Sequence, residues 1–444
     1  MSRSAENKSP HRRTPQKEWV MSHRDALDLI LHAEADGVYS EAIREELPAI
    51  IGHWLQSPES DPLVLGKVAG LRWRKILSGA ANLPEEGCAS LSDHHNRMPR
   101  IKFSGIFLPP PANYKFTFID LFSGIGGFRQ SLQSVGGKCV FSSEWDRQAK
   151  ETYLSNYGET PFGDIKHFTE NDDQAPEFKD AIPRHDILAG GFPCQAFSRA
   201  GKQLGFNESR GTLFFEILKI IRSKRPKVVF LENVKRLKTH DAGNTMRVIV
   251  AALYGLGYKV YAKVLQAREF GVPQNRERIF IVAFDKAIDF KFPEPPRTKR
   301  KNCVGNILEK NVDPWYTISD LIYEGHKRRR RNHESRGNGF GYAVFRPEDS
   351  YTNTISARYW KDGSEILIHQ DRKNPRKLTP RECARLQGFP ERFIPHHMRR
   401  HAYQQFGNSV AVPVVKAVAQ QIINALHDDI PAQGFLDPFE PVIE

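Results

Sequence analysis

The stretch Phe116-Thr117-Phe118-Ile119-Asp120-Leu121-Phe122-Ser123-Gly124-Ile125-Gly126-Gly127-Phe128 decides the fold class. Its first seven residues are dense in aromatic and β-branched side chains, the composition of a buried strand. Glycines follow at 124, 126 and 127, and an apolar helical pattern continues through Leu132. Strand, glycine turn and helix in succession form the layout of a nucleotide-cofactor site. The glycines let the backbone approach a ligand, and the helix N-terminus faces it. The spacing is G-x-G-G, not the G-x-G-x-x-G of dinucleotide sites. Without a pyrophosphate fingerprint, an adenosine-type ligand fits better than a nicotinamide dinucleotide.

Outward from this turn, a second strand, Cys139 to Ser143, ends in Glu144-Trp145. An acid there suits ribose hydroxyls and Trp145 suits stacking on a purine; a satisfied loop acid and a core aromatic are the alternatives. Gly163-Asp164-Ile165 is read as the end of a third strand. A fourth, Ile187-Leu188-Ala189, runs into Gly190-Gly191-Phe192-Pro193-Cys194. Pro193 keeps Phe192 extended, so Cys194 falls just past the C-terminal end of a strand, where open α/β sheets collect ligands. Cys194 is a candidate nucleophile, against the alternative of a loop cysteine acting as a small hydrophobe. A polar stretch from Gly201 to Arg210 reads as a mobile loop. Thr212 then caps a helix through Ile221. The fifth strand, Val228 to Leu231, carries Glu232-Asn233-Val234 at its end. Parallel pairing puts Cys194 and Glu232 at one edge, a thiol and a proton donor in one cleft. A helix (Thr245 to Leu256), a strand (Tyr258 to Leu265) and Gln274-Asn275-Arg276-Glu277-Arg278 precede the last strand, Ile279 to Val282. Arginines there either fix a polar substrate or are solvated charges.

The chain of 444 residues has room for two or three domains, and 39% hydrophobic with 26% charged residues is ordinary for a globular protein. No apolar run of about 20 residues is evident, so no membrane span is expected, and the polar N-terminus lacks a signal-peptide core. Five scattered cysteines without C-x-x-C spacing predict free thiols, no metal site and a reducing compartment. A net charge of +13 points to nucleic acid as the polyanionic partner. Residues 1–113 read as a basic tail, a helical module (helices from Ser22, from Ser40 to Leu55, and over Leu63 to Leu77) and a linker from Leu83 to Asn113. The module reads as a docking or stabilising appendage rather than a helix-turn-helix. Residues 114–284 form the α/β domain. Residues 285–374 are basic (His326-Lys327-Arg328-Arg329-Arg330-Arg331) and dotted with aromatics, a composition suited to nucleic-acid contact. In residues 375–444, Thr379, Pro380 and Glu382 predict a capping box, and a final helix runs from Val414 to Leu426.

The order of Asp120 to Phe128, Pro193-Cys194-Gln195, Glu232-Asn233-Val234, Gln274 to Arg278, Leu378 to Pro390 and Gln405-Phe406-Gly407-Asn408-Ser409-Val410 resembles that of bacterial-type DNA (cytosine-5)-methyltransferases. Arg336 to Tyr342 and Ser356 to Gly363 are similar to the Dcm-like branch. The resemblance implies a Rossmann-like α/β methyltransferase domain, a smaller target-recognition domain at 285–374, and a C-terminal helix returning to the catalytic domain. It implies S-adenosyl-L-methionine as cofactor, with S-adenosyl-L-homocysteine as product and no metal. Glu144 would lie on the ribose, Trp145 on adenine and Asp164 on its amino group. Phe122, Gly124, Ile125, Gly126, Gly127, Ile165, Pro193, Leu213, Asn408, Ser409 and Val410 would complete the cofactor site. Cys194 would attack cytosine C6, Glu232 would act at N3, and Arg278 with Arg276 would hold the base. The base would be flipped out of the duplex. Gln195, Ser198 and Arg210 would contact DNA. Arg336, Asn338, Arg358 and Lys361 are candidates for reading bases because their side chains suit the major groove. The first expected target is CC(A/T)GG, and the expected partner is duplex DNA, with a restriction endonuclease encoded nearby. The enzyme is expected to act as a monomer in the bacterial cytosol, associated with the nucleoid. An RNA cytosine-5 methyltransferase and a DNA-binding regulator acting through the N-terminal module are the competing readings.

Overall fold

The computed structural model describes residues 19–58, 60–80, 101–169, 178, 181–193, 213–296, 302–337, 341–428 and 442–443. The basic tail, the Gly201 to Arg210 loop and Thr212 lie outside them. The N-terminal module is a strand β1 (Trp19–Ser22) and helices α1 (His23–Ala33), α2 (Glu41–Leu55) and α3 (Gly66–Ala80). Ser22 and Ser40, at the helix starts read from the sequence, cap α1 and α2 through their hydroxyls. Trp54 and Trp73 meet edge to face with centroids 5.3 Å apart, a geometry worth roughly 0.5–1.5 kcal/mol beyond the area buried. The Trp73 indole N–H donates to buried Glu34 at 2.6 Å, and Arg72 holds the same carboxylate with two hydrogen bonds of 2.7 and 2.8 Å. The segment expected to be only a linker contributes a strand, β2 (Ile101–Ser104), paired in parallel with β1. Its pairing partner is some 80 residues away, so local composition could not reveal it.

The catalytic unit is built on β3 (Phe116–Leu121), α4 (Gly127–Gln133), β4 (Gly137–Ser143), α5 (Arg147–Tyr157), β5 (Ile187–Gly191), α6 (Leu213–Lys224), β6 (Val228–Val234), α7 (Asn244–Gly255), β7 (Lys259–Gln266) and β8 (Glu277–Phe284). With a C-terminal strand, these make a seven-stranded sheet in which β3 to β6 run parallel. Ile187, Leu188, Ala189 and Val228 to Leu231 are all fully buried, as strands covered on both faces require. Strands β7 and β8, whose direction the sequence left open, form a full-length antiparallel pair from Lys259↔Phe284 to Gln266↔Glu277. The third expected strand, at Gly163 to Ile165, is absent. Phe162 makes a single bridge to Ser143, and Ile165–Phe168 is a 3-10 turn capped by Asp164.

C-terminal to the hairpin come α8 (Asp320–Glu334), β9 (Val344–Phe345), β10 (Leu367–Ile368), β11 (Arg376–Lys377), α9 (Pro380–Leu386), α10 (Arg399–Asn408), α11 (Val412–Asp428) and β12 (Val442–Ile443). The arginine run sits on α8, where sequence periodicity had shown no helix because charge masks the pattern. The expected capping box opens α9: the Thr379 hydroxyl accepts from Glu382 N–H at 3.1 Å and Glu382 accepts from Thr379 N–H at 2.9 Å. Leu378, Leu386, Phe389 and Phe406 share a core with Val304, Ile355, Tyr359 and Ile368. Helix α11 instead packs on the sheet through Val414, Val415, Val418 and Ile422. By length and composition alone Arg399–His427 is apolar enough for a membrane span, with mean hydropathy 1.3. The break at Ser409–Ala411 divides it into α10 and α11, whose apolar sides lie in these two cores. On the opposite face of the sheet, Ile119, Leu121, Phe141 and Leu188 are continuous with Ile50, Ile51 and Trp54 of the N-terminal module.

Candidate active site

The turn after β3 is tight for identifiable reasons. Phe122, Gly124 and Gly126 have φ of 56°, 53° and 81°. For Phe122 this left-handed conformation costs roughly 1–3 kcal/mol, a strain typical of functional turns. A Cβ on Gly126 would stand 2.3 Å from the Tyr157 ring, and one on Gly127 would stand 2.6 Å from Val410 Cγ2 and 3.1 Å from Ser409 Oγ. Thus Ser409 and Val410, almost 300 residues away, lie against the start of α4, and the Ser131 hydroxyl donates to the Val412 carbonyl at 3.0 Å. The structure gathers Phe122 to Gly127, Ser409 and Val410 at the C-terminal edge of β3, as expected of one ligand cleft.

Glu144 ends β4 at the same edge. It is buried and accepts hydrogen bonds from Gly124 N–H at 2.7 Å and Asp146 N–H at 2.9 Å. Burial raises its pKa, with these backbone donors opposing. The neighbouring Trp145 ring is 82% exposed, so its face is open to a stacking partner. Asp164 accepts from Lys166 N–H at 3.1 Å, and Ile165 behind it is buried. A carboxylate for hydroxyls, an open aromatic face and a second carboxylate around a glycine turn are a donor set that fits an adenosine-bearing cofactor.

Cys194, Gln195, Ser198 and Arg210 lie outside the described residues, but the chain is defined up to Pro193. Gly191 pairs with Glu232 across β5 and β6, and a Cβ on Gly191 would meet Glu232 Oε2 at 3.4 Å. The parallel pairing therefore brings the approach to Cys194 beside Glu232. Asn233, unremarked in the sequence beyond its motif, donates from Nδ2 to the Phe192 carbonyl at 2.8 Å. It fixes the chain two residues before the cysteine. Burial raises the Glu232 pKa, and Arg278, with Nε 3.1 Å from Glu232 Oε1, opposes that rise. Leu213, another expected cofactor contact, opens α6. Burial pushes the thiols of Cys139 and Cys383 up, away from the reactive thiolate form.

Arg276 requires a correction. Its guanidinium, whose charge reaches Glu232, is engaged by backbone carbonyls rather than left open for a base. It is buried and donates to the carbonyls of Ile355 at 3.3 Å, Gly407 at 3.1 Å and Ser409 at 2.6 Å. Burial, with Arg278 nearby, lowers its pKa. Gln274, fully buried, similarly donates to the Leu386 carbonyl at 3.1 Å and accepts from Ile355 N–H at 3.1 Å. The two side chains tie β8 to three distant segments, a role no local pattern encodes. Arg276→Met is expected to cost roughly 3–5 kcal/mol of stability, because several buried carbonyls lose their donor. Urea unfolding checks this; a variant as stable as wild type but inactive would return Arg276 to the base.

Of the candidate base readers, Asn338 lies outside the described residues. Arg336, Arg358 and Lys361 are exposed. The structure joins their two segments: Arg329 on α8 bonds Asp362 at 3.0 Å, and His326 Nε2 is 3.3 Å from the Asp362 carbonyl. Lys361 lies 5.6 Å from the Trp360 ring centroid, and Arg400 caps the same ring at 4.4 Å.

Residues 116–424 match the C-5 cytosine-specific DNA methylase family. The Type II methyltransferase M1.ScrFI of Lactococcus lactis subsp. cremoris is 55% identical over 318 residues, 70% of this chain and 79% of that protein. The Type II methyltransferase M.SsoII of Shigella sonnei is 52% identical over 324 residues, 72% of this chain and 83% of that one. The DNA-cytosine methyltransferase of Escherichia coli (strain K12) is 39% identical over 374 residues, 70% of this chain and 79% of that one. The S. pombe Dnmt2 methyltransferase structure shares the fold, with TM-score 0.56 at 20% identity over 70% of this chain and 99% of that chain. The sheet, its glycine turn and the Glu232 edge thus sit in a segment in which two of these relatives share more than half the residues, and the chain belongs to the C-5 cytosine-specific DNA methylase family as a DNA (cytosine-5)-methyltransferase.

Proposed function

We propose that this enzyme methylates a flipped-out cytosine in duplex DNA through a covalent Cys194 adduct, and that it does so within a restriction-modification system. The observation that carries the reading is the edge shared by β5 and β6: Asn233 holds the Phe192 carbonyl, Gly191 lies beside Glu232, and Arg278 pairs with that carboxyl. Cytosine C5 is a poor nucleophile. Addition of the Cys194 thiolate at C6 makes C5 enamine-like, dividing one hard step into two easier ones. Glu232, whose pKa burial raises, donates toward N3 and offsets the charge that develops on the ring. Arg278 orients Glu232 and is available to the base oxygen. S-adenosyl-L-methionine, when bound, supplies an electrophilic methyl group to C5. Solvent water takes the C5 proton as the C6–S bond breaks, which releases the Cys194 thiolate; Glu232 takes back the N3 proton and the ring is restored. Glu144, Trp145 and Asp164 are read as the ribose and adenine contacts. A base stacked in a duplex cannot reach such an edge, hence the flip.

Residues 285–374 are read as the target-recognition domain, acting as part of a monomer on duplex DNA. The target CC(A/T)GG is inferred from Dcm-like stretches, while the Lactococcus lactis and Shigella sonnei proteins are more similar to this chain than the Escherichia coli enzyme is. The inner cytosine of CC(A/T)GG is therefore the specific claim at risk. Methylation of a randomised duplex pool, read by bisulfite sequencing, is expected to enrich that site. Enrichment of a different short palindrome would overturn the target and leave the chemistry standing. No enrichment in duplex DNA, with methylation of RNA instead, would favour the RNA reading.

A further inference from the structure

Helix α2 lies outside the segment that matches the family, yet it and its C-cap Gln56 bond to Gly163, beside Asp164, and to Tyr157, which backs the glycine turn. Glu46 is 5% exposed, and its Oε1 accepts the Gly163 N–H at 2.8 Å. Gly163 immediately precedes Asp164. A Cβ at residue 163 would stand 2.6 Å from the same oxygen, so the contact requires glycine there. Two turns along α2, on the same face, His53 Nε2 is 3.3 Å from Oε1 of Glu159, which is fully buried with Arg129. The Arg129 backbone N–H donates to Asp120 at 3.2 Å, beneath the glycine turn. Gln56 donates to the Tyr157 carbonyl at 3.3 Å, and the Tyr157 hydroxyl donates to the Gly126 carbonyl at 2.9 Å.

Glu46 is the telling residue. Its second oxygen, Oε2, is buried with no hydrogen-bond partner among the described residues. Burying a carboxyl for one backbone N–H is a poor stabilising device, and an apolar side chain would fill the space at less cost. A carboxyl kept there on stability grounds has little rationale; one kept to hold the Phe162–Asp164 turn in place does.

We propose that Glu46 is a positioning residue of the cofactor site, and that the N-terminal module thereby sets the affinity for S-adenosylmethionine by fixing the turn that presents Asp164. The inference rests on the reading of Asp164 as an adenine contact. The test uses the full-length enzyme and measures S-adenosylhomocysteine binding by calorimetry, with steady-state kinetics and duplex-DNA binding alongside. Glu46→Ala is expected to weaken cofactor-product binding roughly 10-fold, the loss of one charge-assisted hydrogen bond, and to raise KM for the cofactor far more than it lowers kcat. Glu46→Gln restores binding, because an amide carbonyl accepts the same N–H. Gly163→Ala, which forces the contact apart and keeps the carboxyl, reproduces the loss and serves if Glu46→Ala fails to fold. Asp164→Ala separates the two readings. If it binds like wild type, the adenine assignment falls, and the inference with it. If it binds weakly while Glu46→Ala and Gly163→Ala bind normally, only the positioning role is overturned. Equal loss of cofactor binding, DNA binding and kcat in the Glu46 and Gly163 variants would also overturn it, as the mark of a merely structural contact.

Discussion

Cys194→Ser is expected to abolish methyl transfer, with a fall of at least about 10⁴-fold in single-turnover rate, while duplex-DNA binding changes little. A serine hydroxyl at neutral pH is a far weaker nucleophile than a thiolate, and Cys139 and Cys383, buried with raised pKa values, cannot replace it. The contact surface for DNA, carried by residues 285–374 in this reading, is not altered by exchanging one sulfur for oxygen. The companion measurement uses duplex DNA containing 5-fluorocytosine. After thiolate addition and methyl transfer, a fluorine at C5 cannot leave as a proton, so wild type should be trapped as a denaturation-resistant adduct and Cys194→Ser should not. A serine variant with near-normal turnover, or a wild type that forms no adduct, would remove Cys194 from the chemistry.

Glu232→Gln is expected to slow methyl transfer by roughly 10²–10⁴-fold, the usual contribution of a positioned general acid. The amide can still donate a hydrogen bond toward N3, so binding of the target DNA should survive, but it cannot deliver a proton. The pH profile adds a second readout. Burial raises the Glu232 pKa, so the protonated, donating form persists to higher pH than for an ordinary carboxyl, and its contribution is lost as pH rises through that raised value. That limb should vanish in the glutamine variant. Arg278, the opposing cation 3.1 Å away, holds the value down, so Arg278→Met should move the limb toward higher pH as well as lower the rate. An unchanged pH profile in Glu232→Gln would show that the carboxyl only packs the cleft.

The sequence by itself determined the elements whose information is local. Phe116 to Phe128 announced a strand, a left-handed glycine turn and a helix, because apolar density and unbranched backbone freedom act within a few residues. Thr379, Pro380 and Glu382 announced a capping box for the same reason, and the motif order from Asp120 to Val410 announced the family. That the chain up to Pro193 runs beside Glu232 also followed, since parallel strands expose their C-terminal ends on one edge. Tertiary structure alone decided what depends on partners remote in the chain. Arg276 spends its donors on carbonyls of residues 355, 407 and 409, and Gln274 and Asn233 donate to the Leu386 and Phe192 carbonyls. The antiparallel β7–β8 hairpin and the return of β2 to β1 are set by pairing energies between whole segments. Above all, nothing in the composition of α2 links Glu46 to Gly163, because that contact spans 117 residues and exists only after the module's apolar face has packed on the sheet. A polar side chain's role is fixed by which backbone groups burial leaves for it to satisfy, and that is settled by packing, not by sequence spacing.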